Sequence, residues 1–258
     1  MMFKLNLYHS SIENREIIDK NPIPLGDKGI PGERDDMFSP RATDKYERYE
    51  HLQRYKYAAK RCQGKILDLG CGTGYGTKIL SEKSDEVYGV DNSQKAVDYA
   101  RKIYPGPLYT CCSAEKLPYE DNFFDAVVVF EVIEHFQDVE KALDEVYRVL
   151  KKNGDFFIST PNPRHFGKMI KHLLFKKPYP EKVGPNIYHI KEFYYDEFLD
   201  LLKKKQFKVK FKYGQTLPIF PRKIMYLLKK LPFLYKIPIF LGYCFPKYAG
   251  TIVVWAKK

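Results

Sequence analysis

Short apolar runs alternate with helical patterns along the middle of this 258-residue chain, and this alternation limits its fold more than any other feature. The apolar runs are KILDL, EVYGVD, LYTCC, DAVVVF and DFFIST. Helical patterns separate them, at residues 75–83, 93–103 and 139–150. Strands that are apolar on both faces and alternate with helices form a parallel sheet covered on two sides. The sequence therefore predicts an α/β fold.

The flanking regions have a different composition. Residues 1–43 are polar and broken by proline and glycine, which predicts an irregular N-terminal arm, and residues 44–258 are predicted to form one domain. Further helices are expected at 43–61, 164–175 and 195–205, and further strands at FKVKFKY and GTIVVWAK. Lid segments are expected at about 161–192 and 213–248. Asn153-Gly154 is predicted to end the helix that begins after Asp138.

The distribution of charge and the cysteines indicate the compartment of the protein and the kind of partner it binds. The five cysteines form no CxxC pair, no secretory leader or spanning segment is recognisable, and the protein is expected to be cytoplasmic. The formal charge is +12, and Asp200 is the last acidic residue, whereas the 58 residues that follow it carry 14 Lys and Arg. Such asymmetry indicates an anionic partner, either a membrane surface or nucleic acid, unless it serves solubility alone.

A glycine-rich loop, GCGTGYG, follows the first apolar run and opens a helix. Its glycines let the backbone approach a nucleotide-like ligand. Asp91 lies about twenty residues beyond, at the end of the next run, where a carboxylate can accept both hydroxyls of a ribose. Asp68 precedes the loop and suits the amino group of a sulfonium amino acid better than a pyrophosphate. These features favour S-adenosylmethionine over a nicotinamide dinucleotide.

The motifs LDLGCGTGYG, VYGVD, CSAEKLPYEDNFFDAVVVFEVIEH and VLKKNGDFFISTPN resemble those of class I S-adenosylmethionine-dependent methyltransferases, in the branch that includes the quinone-biosynthesis O-methyltransferases. The resemblance covers residues 60–162. It implies a Rossmann-like, doubly wound sheet of seven mostly parallel strands with an antiparallel last strand. It also implies a cofactor site formed by Asp68, Gly70, Cys71, Gly72, Gly74, Asp91, Asn92, Ser113, Ala114, Glu115 and Glu131. Ser113 stands where the family often has an aspartate that contacts the adenine amino group, and Leu117 is expected to pack on the purine.

The segment EVIEH follows the fourth apolar run, at the sheet edge where sites of such folds lie. Glu131, Glu134 and His135 are the candidate catalytic residues. The segment also resembles metal-binding segments of quinone-biosynthesis and small-RNA 2′-O-methyltransferases, in which these three residues and His189 would hold a divalent metal. Related enzymes without metal carry the same segment, so acceptor positioning, proton transfer, metal binding and a structural role remain open alternatives.

The insertion between the last two predicted strands is rich in aromatic and basic residues. It can pack as a lid, cap an apolar acceptor or lie on an anionic membrane, whereas RNA-binding surfaces usually carry fewer aliphatic residues. We expect methyl transfer to a hydroxyl of a small or lipid-linked acceptor. The alternatives are an RNA 2′-O-methyltransferase and a non-catalytic nucleotide-binding module.

Overall fold

The computed structural model describes residues 45–84, 86–175, 190–220, 224 and 232–258. It contains seven strands: β1 (Ile66–Leu69), β2 (Val87–Asp91), β3 (Leu108–Cys111), β4 (Phe124–Phe130), β5 (Leu150–Pro161), β6 (Lys208–Gly214) and β7 (Thr251–Lys257). Its α-helices are α1 (Lys45–Ala59), α2 (Tyr75–Ser81), α3 (Gln94–Ile103), α4 (Val139–Val149), α5 (Phe166–Phe175), α6 (Tyr195–Lys204) and α7 (Pro232–Cys244). The N-terminal arm expected at 1–43 lies outside the described residues.

All seven strands form one sheet, in the order β3-β2-β1-β4-β5-β7-β6. The first five pair in parallel, and β7 runs antiparallel to both of its neighbours, β5 and β6. This confirms the α/β, Rossmann-like sheet of mostly parallel strands. The strand order reverses at β1, which has β2 on one side and β4 on the other, and ligands of such sheets bind at the carboxyl ends of the strands beside that reversal.

Two apolar clusters cover the faces of the sheet. One lies beneath α4 and α6 and includes Val146 and Leu202, both fully buried. The other lies beneath α1, α2 and α3 and includes Leu52 and Leu80. Burial of one such leucine contributes roughly 1.5–3 kcal/mol. The two layers hold the sheet rigid, so the loops at its carboxyl edge are supported from both sides.

The helix starts follow the expected caps. Ser93 Oγ accepts a hydrogen bond from the Ala96 N–H, and Asp138 Oδ1 accepts one from the Lys141 N–H. Each side chain satisfies a backbone donor that the first helical turn leaves without a partner. Among the described helices, none combines the length and apolar character needed to cross a bilayer.

The expected end of α4 at Asn153-Gly154 is wrong. The helix ends at Val149, because Leu150 already has an extended backbone and begins β5. Asn153 adopts φ +63° inside that long strand, and the pairing with β4 shifts register between Phe124 and Ala126. Asn-Gly tolerates left-handed backbone in a turn or a bulge as well as after a helix, so the dipeptide alone does not distinguish these positions.

Candidate functional site

The glycine loop crosses the carboxyl edge of the sheet between β1 and α2. The N–H groups of Gly70 and Cys71 both donate to the Val90 carbonyl, at 2.7 and 2.9 Å, so the loop is fastened to β2. Gly70 has φ +78°, and a Cβ there would lie 2.4 Å from Val132 Cγ1, so this glycine is required by internal packing.

Gly72 differs from Gly70 in what it faces. It has φ +51°, and a Cβ built there meets no atom within 4 Å. The loop therefore presents bare backbone to open space at this position, which is the cradle that a ligand would occupy. Gly74 lies farther along the loop, where a Cβ would meet Ala100 and Tyr109 instead.

Asp91 lies beside that cradle. Its Oδ2 accepts a hydrogen bond from the Gly72 N–H and its Oδ1 accepts one from the Ser93 N–H, both at 2.9 Å. These bonds fix the orientation of a carboxylate at the end of β2. Each carboxylate oxygen has more than one acceptor site, so this geometry is compatible with a bound ribose diol.

Asp68, at the end of β1, is completely buried. Its Oδ1 accepts a hydrogen bond from the Tyr55 hydroxyl at 3.0 Å, and its Oδ2 accepts one from Thr77 Oγ1 at 2.7 Å. Burial raises the pKa of Asp68 to about 7, although these two hydrogen bonds act in the opposite direction. A ligand ammonium near the loop would stabilise the ionised form, but direct contact between Asp68 and the cofactor stays a prediction.

The residues expected to contact the adenine follow β2 and β3 in the chain. Asn92 and Ser113 are exposed. Ser113 Oγ donates to Glu115 Oε2 at 3.2 Å, and Glu115 Oε1 accepts a hydrogen bond from the Asp138 N–H at 2.8 Å. Glu115 thus links this loop to the start of α4, and Ala114 packs against the core cluster under that helix. Contacts of these residues with an adenine stay predictions.

Cys71 is buried inside the loop, and burial raises the pKa of its thiol well above the usual range. A thiol that holds its proton is a poor nucleophile. The side chain instead lies near Gly89 of β2, where a Cβ would be 3.1 Å from the Cys71 sulfur. The side chain thus fills space under the backbone, and contact between Cys71 and the cofactor stays a prediction.

Glu131 follows β4 with φ +56°, an uncommon backbone conformation for a residue with a side chain. Its N–H donates to the Ser159 carbonyl at 3.2 Å, and its Oε1 accepts a hydrogen bond from Ser159 Oγ at 3.0 Å. The Arg54 guanidinium lies 4.0 Å from the same oxygen. The side chain is 17% exposed, so a partly accessible carboxylate is held at the edge of the sheet.

Glu134 and His135 form a short 3-10 turn after Glu131. The Glu134 carboxylate is buried and accepts a hydrogen bond from Thr160 Oγ1 at 3.4 Å, while its carbonyl accepts bonds from the N–H groups of Ile190 and Lys191. These contacts give Glu134 a structural part in fastening the segment before α6. His135 Nε2 lies 3.9 Å from Glu134 Oε1. The catalytic parts expected for Glu134 and His135 stay predictions.

Among the residues that the structure describes, no three His, Cys, Asp or Glu side chains are grouped so as to hold a metal ion. Two of the expected ligands, Glu131 and Glu134, accept hydrogen bonds from hydroxyl groups of β5 instead. The fourth expected ligand, His189, lies outside the described residues. The metal hypothesis therefore has no support from the described geometry.

Helix α1 supplies polar residues that the sequence patterns did not single out. Arg54 is buried, its Nη1 donates to Gln215 Oε1, and its Nε has no hydrogen-bond partner among the described residues. Gln215 Nε2 in turn donates to the Glu50 carbonyl, and Thr216 Oγ1 donates to the Glu50 carboxylate. The start of α1 and the segment after β6 are thus joined beside Glu131.

His51 lies one turn before Arg54, and its Nδ1 is 3.1 Å from the Tyr75 hydroxyl. Burial, followed by the charge of Arg54, lowers the pKa of this imidazole well below its usual value. A sequence signal for both residues existed: they precede the fully buried Ala58 by seven and four positions, which is the spacing of one helix face. The sequence therefore indicated a charged residue on a buried face of this helix.

Residues 67–158 match the family described as "Methyltransferase domain". A "Probable S-adenosylmethionine-dependent methyltransferase" of Mycolicibacterium smegmatis is 32% identical over 190 residues, which is 72% of this chain and 66% of the relative. The mitochondrial ubiquinone biosynthesis O-methyltransferase of Rattus norvegicus is 38% identical over 106 residues, or 38% of this chain and 31% of that protein. The chain spans about half of two Mycobacterium tuberculosis relatives, at 52% each.

Solved structures share the architecture. The crystal structure of a SAM-dependent methyltransferase of Thermotoga maritima superposes with a TM-score of 0.56 and 25% identity, over 83% of this chain and 94% of that one. This shared fold agrees with the family of the sequence relatives. The chain belongs to the class I S-adenosylmethionine-dependent methyltransferases.

Proposed function

We propose that this protein transfers a methyl group from S-adenosylmethionine to a hydroxyl of a small or lipid-linked acceptor. The observation that carries the proposal is the Glu131 carboxylate, held at the end of β4 near the glycine loop. S-adenosylmethionine, when bound, supplies a methyl carbon on a positively charged sulfur. The cofactor would be held by Gly72 and Asp91, with Asp68 buried behind the loop.

Glu131 has the chemistry that a hydroxyl acceptor requires. Its carboxylate can accept a hydrogen bond from the hydroxyl and orient an oxygen lone pair towards the methyl carbon. The bound cofactor would give up this methyl group to the acceptor oxygen and would leave as the neutral thioether. The hydroxyl proton passes to Glu131. Ser159 and Arg54 keep this carboxylate oriented and close to a positive charge.

The surrounding polar groups support a polar reacting atom. Arg54, Gln215 and Glu50 are hydrogen-bonded to one another on the side of Glu131 that faces α1. The Nε of Arg54, which has no hydrogen-bond partner among the described residues, is a further buried donor. A buried donor without a partner lowers the free energy of unfolding by about 1–3 kcal/mol unless a ligand accepts its hydrogen bond. The name of the rat relative, a ubiquinone biosynthesis O-methyltransferase, agrees with an oxygen acceptor.

Two variants test the proposal. Calorimetry with S-adenosylhomocysteine should show binding by the unchanged protein and a loss of at least about tenfold in Asp91→Asn, because the ribose would lose a charged acceptor. Glu131→Gln should keep S-adenosylhomocysteine affinity and lower kcat by about a hundredfold, since it removes the proton acceptor. Transfer of labelled methyl groups into cell extracts, followed by identification of the product, gives the acceptor and the methylated atom, and kcat is then measured with that acceptor at saturating concentration.

Glu140→Gln is the matched control, because Glu140 lies on the exposed side of α4 and pairs with Lys204. It should leave both affinity and kcat unchanged. Clear NAD binding without S-adenosylhomocysteine binding would overturn the cofactor assignment. Label found in RNA, or on nitrogen or carbon, would overturn the acceptor assignment while leaving the cofactor assignment intact.

A further inference from the structure

Two helices outside the cofactor site expose large apolar side chains. On α5, Leu173 and Leu174 are 67% and 69% exposed. On α7, Leu234, Ile237 and Phe240 are 41%, 37% and 55% exposed. Scattered apolar residues are normal on protein surfaces, but a group of them on neighbouring helices marks an interaction surface. We name the outward sides of α5 and α7 the apolar face.

Both helices rest on the same short segment, residues 215–218, which follows β6. A Cβ on Gly167 of α5 would lie 3.0 Å from the Pro218 carbonyl oxygen. A Cβ on Gly242 of α7 would lie 2.7 Å from Thr216 Cα, and the Leu217 N–H donates to the Pro238 carbonyl at 2.9 Å. Each helix therefore packs closely on this segment through one of its glycines.

The sides of α7 differ sharply. Pro238 and Gly242, four residues apart, are buried against the 215–218 segment. Ile237, Phe240 and Cys244 follow a three- and four-residue spacing and are exposed together on the opposite side. The exposed side chains of α7 thus lie along one side of the helix and are not confined to one of its ends.

Among their charged residues, α5 and α7 have only basic ones. The sequence has no acidic residue between Asp155 and Glu181, and none after Asp200. Lysines accompany the apolar side chains on both helices, Lys168 and Lys171 on α5 and Lys236 on α7. By contrast, the first 200 residues carry 30 basic and 32 acidic groups. Apolar side chains and lysines on helices that carry no acidic residue match the interface of a negatively charged bilayer.

We propose that the apolar face docks on the surface of an anionic lipid bilayer. The apolar side chains enter the boundary between headgroups and acyl chains, while the lysine ammonium groups contact lipid phosphates. Helix α7 has 13 residues, fewer than the roughly 20 that cross a bilayer, so it lies along the surface. Docking of this kind needs no methyl transfer and stands independently of the proposed function.

The position of the apolar face gives docking a consequence for the site. The 215–218 segment under both helices includes Gln215 and Thr216, which hydrogen-bond to Arg54 and Glu50 beside Glu131. A bilayer on the apolar face would therefore lie next to the side of the site assigned to the acceptor. This arrangement suits a lipid-linked acceptor, a conclusion that does rest on the proposed function.

Vesicle flotation tests the docking. We expect the protein to float with phosphatidylcholine vesicles that contain about a third phosphatidylglycerol, and not with phosphatidylcholine alone. Raising the salt from about 0.1 M to about 1 M shortens the Debye length from roughly 10 to 3 Å and should weaken flotation several-fold. Phe240→Ser should lower the partition coefficient by about tenfold or more, since it removes most of one buried aromatic side chain.

Leu108→Ser is the matched control, because Leu108 is 58% exposed on β3, at the opposite edge of the sheet. It should float as the unchanged protein does, and equal thermal unfolding of both variants would show that they are folded. Equal flotation of Phe240→Ser and the unchanged protein would overturn the proposal. The proposal would also be overturned if the protein did not bind vesicles but formed a dimer that Phe240→Ser abolishes. Binding of an RNA oligomer by a protein that does not bind vesicles would overturn it as well.

Discussion

Asp68 and Asp91 lie near the carboxyl ends of neighbouring strands, yet their surroundings give the two carboxyl groups different properties. Asp91 is partly exposed and accepts two backbone N–H bonds. Asp68 is buried, and burial raises its pKa to about 7. The same residue type is thus a partly exposed carboxylate at the proposed ribose position and, one strand away, a buried carboxyl group whose pKa is about 7.

Cofactor affinity should follow the ionisation of Asp68. As the pH rises from 6 to 7.5 the carboxyl group ionises, and the negative charge attracts the ligand ammonium, so S-adenosylhomocysteine should bind roughly tenfold more tightly. Asp68→Asn should remove most of this pH dependence. Calorimetry at several pH values measures the affinity. An equally steep pH dependence in Asp68→Asn would contradict the assignment.

The same shift has an opposite effect on stability. Because the folded pKa of Asp68 lies above the unfolded value of about 3.9, its contribution to stability is complete below that value and is lost as the pH rises through about 7. Without ligand, Asp68→Asn should therefore flatten the decline in the free energy of unfolding between these pH values. Denaturant titrations across that range measure the decline.

The proximity of Gly72 and Asp91 could be predicted from the sequence because their spacing is tied to local backbone structure. Gly72 follows β1 and Asp91 ends β2, and parallel strands bring their carboxyl ends together. Arg54 and Gln215 are 161 residues apart, and their contact depends on the packing of α1 against the segment after β6. No local pattern contains that information, although Arg54 on a buried helix face indicated that it has a partner.

Among the elements, the helices other than α7 were predicted closely, apart from the end of α4. The starts of α3 and α4 follow Ser93 and Asp138 as expected. Helix α7 was not predicted, because Pro238 lies inside it and its apolar residues cover most of its circumference. Its position depends on close backbone contact at Gly242 rather than on an amphipathic pattern.

Gly242→Ala should loosen α7 from the body of the protein. The added methyl group would overlap the backbone of Thr216 and Leu217, at a cost of about 1–3 kcal/mol, of which the higher helix propensity of alanine offsets up to about 1 kcal/mol. We expect chymotrypsin to cleave several-fold faster within 232–244, as measured by mass spectrometry of the fragments.

Gly250→Ala is the matched control for this substitution. A Cβ at Gly250 meets only the Thr216 carbonyl oxygen, at 3.7 Å, which is an ordinary contact. This variant should be cleaved like the unchanged protein. Equal cleavage of Gly242→Ala and Gly250→Ala would show that close packing at Gly242 does not hold the helix.

At the scale of the whole molecule, the sequence predicted the class of fold but not the neighbours of every strand. The parallel order follows from helices that alternate with strands, since each crossover places the next strand beside its predecessor or across the reversal at β1. The insertion of β7 between β5 and β6 depends on long-range pairing. Both β6 and β7 were predicted as strands, and their order in the sheet was not.

Cofactor binding should stabilise the whole fold. A ligand that binds only the folded state at 100 times its Kd adds about 2.7 kcal/mol, which corresponds to a rise in Tm of roughly 5–10 °C for a chain of this size. Scanning calorimetry with S-adenosylhomocysteine should show that rise. Asp91→Asn, with its at least tenfold weaker binding, should show about half of that rise or less at the same ligand concentration, and a full rise in this variant would argue against ribose binding by Asp91.

The strand order also has a consequence for synthesis. In the described sheet β6 has β7 as its one neighbour, and residues 215–250 separate the two strands. On the ribosome, β6 therefore emerges before the strand that will hydrogen-bond to it exists. The intervening residues include α7 and Gln215, so the apolar face and the contact with Arg54 are completed late. A nascent chain stalled before β7 would leave that edge of the sheet exposed to chaperones.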